Sequence, residues 1–310
     1  MTKPASHTHF IHYRICDASA AVPLGDDEFI AADDESNVLH VYRYDAGPPV
    51  RECDLTELLD TPDGGEADIE GAAELAGKVW WITSHGCDRK GRSSATRRQL
   101  FATDPQGKPA GKPYRRLLDD LVEHPLLAHL DLEKAARKAP KDPGGLCIEG
   151  LAATPGGGLL VGFRNPVPHG YALIVPLADP APLLEGGRAT LGAPIMLDLQ
   201  GHGIRAIEWL DDAYYIAAGP PAAGDDYALY RWSGRAGDQP VEIDVPGLAG
   251  LHPESLFFDA QGTLHVLSDD GKAQPGGRKC KDLPVEERTF RRLSVPREVW
   301  DTFSDTFRDA

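Results

Sequence analysis

Long apolar runs are missing from this 310-residue chain. None approaches the roughly 20 residues that a membrane-crossing helix needs, so no such helix is expected. The opening stretch, MTKPASHTHFIHYRI, lacks the apolar core of a secretory leader, and export is not expected either. Cysteine is sparse. Cys16, Cys53, Cys87, Cys147 and Cys280 are odd in number, scattered, and show no C-x-x-C spacing. That pattern argues against a disulfide framework and against structural zinc. It reads instead as small buried side chains in a reducing cytoplasm. Positive charge is also short: 32 Lys and Arg face 48 Asp and Glu, for a formal net charge of −16. A field of that sign opposes non-specific attachment to nucleic acid or to anionic membrane, so neither is an expected partner. Several familiar chemistries are absent too, with no G-x-S-x-G elbow, P-loop, dinucleotide fingerprint or H-E-x-x-H.

Turn formers, by contrast, are plentiful, with 33 Gly and 26 Pro. They punctuate a repeated unit. ADIEGAAELAG runs into KVWWITSHG, CIEGLAATPGG into GLLVGFRNP, AIEWLDD into AYYIAAGPP, and HPESLFFDAQG into TLHVLSDDG. Each unit is a strand carrying Glu, a turn, and an apolar strand ending in small or polar residues. A further strand often follows, as in RRQLFATD, YALIVPL and YALYRWS. A fifth unit, AAVPLGDDEFIAADDESNVLHVYRYD, has the same form, but Ser19 falls near the place of the acid.

Self-similar all-β units of this size predict a β-propeller of five blades, with six as the alternative. The expected organisation is one domain over residues 1–310, with residues 105–145 inserted. Leucine spacing predicts helix over 114–138 of that insertion. Trp300, Phe303 and Phe307 at i, i+3 and i+7 predict a short C-terminal helix. HFIHYRI, left without a blade of its own, supplies the outer strand of the last blade and closes the ring.

In a propeller the first strand of each blade lines the central channel. Alternation along that strand turns Ile69 to the core and Glu70 to the channel. Glu149, Glu208 and Glu254 are expected at the same level. Two carboxylates about 6 Å apart repel by roughly 3 kcal/mol at an effective dielectric near 20. Three arrangements relieve that repulsion: shared protons, arginine partners such as Arg164 and Arg205, or a bound divalent cation. The ligand types for a cation are Glu70, Glu149, Glu254, Asn165 and Asp269, with calcium the representative hard ion. Two basic loops, 88–98 and 276–282, follow second strands and form an expected electropositive lip that includes Arg89. His85 in TSHG is the candidate acid, base or metal ligand.

The motifs DIEGAA, WITSHG, IEGLAATP, GFRNP, GIR, AAGP and LSDDG, in order from about residue 65 to 271, resemble an uncharacterised bacterial family of predicted propellers catalogued as a domain of unknown function. More distantly, the EGLA pattern is similar to esterase-like phytase and gluconolactonase-type propellers. That likeness implies acidic and Asn residues from separate blades around a divalent metal at the channel mouth, a pattern Glu149 and Asn165 fit best.

The resulting expectation is a metal-dependent hydrolase of a small anionic ester, phosphoester or lactone. His85 and Glu149 are its catalytic candidates, and Arg164, Arg205 and Arg89 bind the anion. The alternative is a non-catalytic module that binds a small ligand, or a protein partner through the helical insertion.

Overall fold

The computed structural model describes residues 7–61, 65–88, 90–235, 237–273 and 277–301. The sequence repeats become five antiparallel sheets. An N-terminal strand, β1 (Thr8–Tyr13), precedes the first of them. Blade I holds β2 (Ala18–Leu24), β3 (Glu28–Asp33), β4 (Val38–Arg43) and β5 (Arg51–Asp54). Blade II holds β6 (Ile69–Leu75), β7 (Lys78–Thr83) and β8 (Leu100–Thr103). Blade III holds β9 (Cys147–Ala153), β10 (Leu159–Asn165) and β11 (Ala172–Ala178), edged by β12 (Thr190–Leu191) and β13 (Ile195–Leu197). Blade IV holds β14 (Gly203–Leu210), β15 (Ala213–Gly219), β16 (Ala228–Trp232) and β17 (Val241–Ile243). Blade V holds β18 (Pro253–Phe258), β19 (Leu264–Ser268) and β20 (Thr289–Val295).

The inner strands β2, β6, β9, β14 and β18 each contact the next around the axis, and β18 returns to β2. The ring is closed. Second strands such as β10 and β15 are buried along their whole length, because each sheet is covered on both faces by its neighbours. This is why they read as unbroken apolar runs and not as alternating ones. The β6–β7 connection is the two-residue turn Ala76–Gly77, with φ of 52° and 73°. That left-handed pair matches the twist of a tight hairpin.

Closure is made by β1, which pairs antiparallel with β20 from Thr8↔Ser294 to Tyr13↔Thr289. The expected role of HFIHYRI is therefore met. A covalent link lies beside this seam: Cys16, between β1 and β2, is disulfide-bonded to Cys280, 264 residues away. The expectation of unpaired cysteines fails for these two because ring closure brings the chain's distant ends together. No residue spacing encodes that meeting. Cys53, Cys87 and Cys147 are free. Among the described residues no helix is long and apolar enough to cross a membrane.

The insertion folds as short pieces, α2 (Leu117–Glu123) and α3 (Leu132–Ala135) joined by a 3-10 turn at Pro125–Leu130; a single turn of helix in blade I, α1 (Thr56–Leu59), precedes them. Leu117, Leu118, Leu121, Leu127 and Leu132 pack with Trp80, Leu100 and Phe163 of blades II and III. The leucine face is thus spent on the propeller itself. The segment before α2 stands in for a fourth strand of blade II through bridges Thr103↔Pro109 and Leu100↔Tyr114. Pro109 and Pro113 lack the amides for a full ladder there. At the far end, α4 (Arg297–Trp300) places Trp300 against Phe258 and Tyr215, while Phe303 and Phe307 lie outside the described residues.

Glycine follows the acid in IEG for a packing reason. A Cβ on Gly71 would meet the Glu149 carbonyl oxygen at 2.7 Å, and one on Gly150 would meet Ile204 Cγ2 at 2.7 Å. Gly71→Ala is expected to destabilise the fold by about 1–3 kcal/mol, the usual cost of overpacking, in urea unfolding. Alkylation of denatured, unreduced protein is expected to label three cysteines and leave Cys16 and Cys280 unlabelled.

Candidate functional site at the channel mouth

Every inner strand breaks register with its second strand at one equivalent point. Ile69 pairs Thr83 and Gly71 pairs Ile82, which leaves Glu70 unpaired between them. The same step isolates Ser19 in β2, Glu149 in β9, Arg205 in β14 and Glu254 in β18. These are β-bulges, which re-aim one side chain out of the normal alternation. Five bulged residues, one per blade, converge on the axis near the start of the inner strands.

The ring differs from expectation in one member. Blade IV contributes Arg205 and not Glu208, because the acid of AIEWL lies three residues beyond the bulge. Glu208 sits toward the other end of β14, where its Oε1 accepts the Trp209 amide at 2.8 Å. Blade I contributes Ser19, whose hydroxyl donates to the Ile69 carbonyl at 2.6 Å and ties blade I to blade II.

Arg205 organises half of the ring. Its Nη1 lies 3.0 Å from Glu149 Oε2, and its Nη2 contacts Glu254 Oε1. Arg164, from the end of β10, donates through Nη1 to Glu149 Oε1 at 2.8 Å. Burial opposes ionisation of Glu149, but Arg205 and Arg164 together outweigh it and hold its carboxyl below the usual range. The Nε atoms of both arginines are buried with no hydrogen-bond partner. Lys141, delivered by the insertion, faces Arg164, Lys272 and Arg205, and its ammonium is disfavoured by burial and then by these cations. This half is cationic at its lip. Lys141 has no motif in the sequence; only docking of the insertion brings it here.

The other half is acidic. Two residues before the bulges of blades I and II stand Asp17 and Asp68, both buried. Asp34 follows the end of β3. Ligand atoms of Asp34, Asp68 and Glu70 lie within 4.8 Å of one another, as do those of Asp17, Asp34 and Glu35, and of Glu70, Cys147 and Glu149. Burial, then Glu149 and Asp68, push Glu70 well above its ordinary range. Burial, then Asp17 and Asp68, do the same to Asp34. Asp17 is raised to about 7 by burial, then by Glu35 and Asp269. Among the described residues Asp17 Oδ1 and Asp34 Oδ1 are buried and meet no N–H or hydroxyl donor, and the two carboxyls bond to each other. Lys281 Nζ reaches Glu35 Oε1 at 2.8 Å, with Arg288 farther off, and beside Glu70 an arginine enters the arc: Arg97 Nη1 lies 2.6 Å from Asp68 Oδ2. It belongs to the basic loop expected to form an outward lip, and it turns inward.

The remaining sequence candidates have other settings. Glu254 is engaged by Arg205, and Asp269 Oδ1 accepts the Gly271 amide at 2.8 Å. Neither joins the carboxylate groups described above. The Asn165 amide nitrogen donates to the carbonyls of Pro140 and Asp142 at 3.0 and 2.9 Å, anchoring the insertion over blade III. His85 is fully buried, with Nδ1 2.7 Å from the Thr83 carbonyl oxygen and Nε2 unpartnered. Burial lowers its pKa to about 4. Arg89 lies outside the described residues.

Fold and site together define a five-bladed propeller with a charge-divided channel mouth. Residues 17–104 and 102–246 match the model of a family described as "Protein of unknown function (DUF3616)", and the chain belongs to that family. No curated protein matches it. Among solved structures it is similar to a glutaminyl cyclase from Myxococcus xanthus, at TM-score 0.50 and 12% identity over 93% of this chain and 95% of that one. It is also similar to a gluconolactonase from Xanthomonas campestris, at TM-score 0.43 and 13% identity over 92% and 89%. The first of these likenesses, at that identity, bears on the fold alone.

Asp17 supplies a test of the arc's electrostatics. Its folded pKa is raised, so stability linked to its neutral form is present at low pH and lost as pH climbs. Between its ordinary 3.8 and about 7, the wild type is expected to lose stability relative to Asp17→Asn. The slope is at most about 1.4 kcal/mol per pH unit, flattening above neutrality. Urea unfolding of chelator-treated protein across that range checks it.

Proposed function

We propose that the acidic arc binds a divalent cation and that the mouth hydrolyses a small anionic ester, phosphoester or lactone. The observation that carries this reading is the pair of buried carboxyl groups Asp17 and Asp34, which meet no N–H or hydroxyl donor at Oδ1 and have only each other to share a proton with inside a crowded acidic group. An unpartnered buried carboxylate is costly, and several together are more so. The donor set fits a hard ion: the oxygens of Asp34, Asp68 and Glu70, with Asp17 adjacent, suit calcium, magnesium or manganese and not a soft metal. A bound cation there supplies Lewis-acid polarisation of a substrate oxygen.

The chain's own residues provide the complement. Arg164 and Arg205 present a fixed guanidinium pair, held on Glu149, as the positive element that attracts an anionic group. Glu149 holds both arginines in place, so its role is positioning. Lys141 and Lys272 add charge at the entrance. With Cys16 and Cys280 joined, the reading places the protein in an oxidising compartment, in place of the cytoplasm expected from cysteine count.

A second reading is favoured by one observation. His85, the expected proton carrier, is sealed in the core with its Nδ1 committed to Thr83. A site without it suits binding without turnover.

Melting curves separate the outcomes. Chelated protein given calcium or manganese at a hundredfold excess over Kd is expected to gain about 2.7 kcal/mol, seen as several degrees. Asp34→Asn is expected to abolish the gain. The metal-loaded protein is then screened against phosphate esters, lactones and aryl esters, with Arg164→Gln expected to remove any turnover found. A gain without turnover supports the binding module; no gain with any divalent ion sinks both the cation and the hydrolase.

A further inference from the structure

The channel has a second end. Where the inner strands finish, away from the acidic arc, a pit of about 330 Å³ opens. All five inner strands contribute to its lining, so it is axial, as the first mouth is. Its walls are largely apolar, with Pro23, Trp209, Leu210 and Phe258 among them. Its polar members are all acids: Glu74, Glu208 and Asp259, with no Lys, Arg or His in the lining.

These acids are not equivalent. Asp259 is already satisfied, accepting the amides of Gln261 and Thr263 at 2.9 and 2.8 Å and lying 3.2 Å from His265 Nε2. Glu74 stands exposed at the rim. Glu208 is half-buried, and its described hydrogen bond is the one its Oε1 accepts from the Trp209 amide. Among the described residues neither Glu74 nor Glu208 has an ion-pair partner or belongs to a group of metal-ligand type. Burial, and then Glu74 across the pit, push the Glu208 carboxyl up to about 8. A carboxylate held between apolar walls beside a second acid is relieved by a cation that brings its own apolar surface. A bare metal ion brings none. The volume lies within the range of small-molecule sites, and an apolar lining with a few placed polar groups is their usual form.

We infer that this pit binds a small organic ammonium, with the cationic nitrogen on Glu208 and an apolar body against Trp209 and Phe258. The inference stands apart from the hydrolase reading, since it uses no residue of the acidic arc or of the arginine pair.

Calorimetric titration of the full chain with 2-phenylethylammonium, beside its neutral counterpart 2-phenylethanol, tests it at a pH just above about 8, where Glu208 is ionised and the ammonium is still charged. The ammonium is expected to bind at least about tenfold more tightly, a difference of roughly 1.4 kcal/mol. Glu208→Gln is expected to erase that preference, while Asp34→Asn at the other mouth leaves it intact. Equal affinity for the two probes, or a preference that survives Glu208→Gln, overturns the inference. So does a lack of ammonium binding at concentrations on the order of 10 mM, where even weak sites fill. Should Glu208→Gln fail to fold, the two probes on the wild type still decide the matter.

Discussion

Arg205 sits between Glu149 and Glu254 with almost no exposure, and the charge balance of the channel turns on it. Buried carboxylates on adjacent inner strands repel by several kcal/mol unless a cation stands among them. Blade IV supplies that cation from the bulge where its neighbours supply acid. Its position requires close approach of β14 to β10: a Cβ on Gly203 would overlap the Arg164 carbonyl oxygen at 1.9 Å. Gly203 therefore lets Arg164 and Arg205 meet on one carboxylate. Removing Arg205 would leave Glu254 without its cation and Glu149 with Arg164 alone, the costlier way to break such a network.

Neutralising one half leaves the other exposed to its own repulsion. Blades I and II place Asp17, Asp34, Asp68 and Glu70 together with Arg97 as the paired cation. The division into an arginine side and an acid side gives the mouth a charge polarity. Such an arrangement needs a ring that does not open. β1 closes it through β20, and Arg292 stitches the seam from inside. Its Nε donates to His12 at 3.1 Å, its Nη1 to Ser294 at 2.6 Å, and its Nη2 to the Tyr44 carbonyl. The Phe10 ring lies 4.5 Å from its guanidinium. Among the described residues this buried arginine has no carboxylate partner, and burial lowers its pKa to about 10. Strand β1, blade V and blade I are held at once by a single side chain.

Much of this was legible in the chain. The units around IEGAA, IEGLAA and PESLFF marked inner strands correctly, while the tight contact made by the glycine after each of the first two acids emerged only on folding. HFIHYRI, unmatched in the repeat, was the closing strand. The misreading of Glu208 shows where pattern fails. AIEWL and GIRAI both occur in β14, and alternation alone favours the glutamate as the repeated acid. The bulge at Arg205 decides otherwise, because a register break is a property of two paired strands and not of either one. Lys141 and Asp34 were missed for a related reason: each arrives from a loop whose path depends on packing of the insertion or of β3.

The sequence by itself determined the repeat, the alternation that makes five apolar sheets, and the supply of charged residues near the starts of inner strands. These follow from local periodicity, which any stretch of chain expresses on its own. Which charges meet was decided only by tertiary structure. Pairing of Arg205 with two glutamates, contact of the Asp17 and Asp34 carboxyls, burial of His85 and the Cys16–Cys280 link all join residues far apart in the chain. Such meetings depend on the angle and register at which blades pack, and electrostatic energy inside a protein is set by those distances and by the water they exclude.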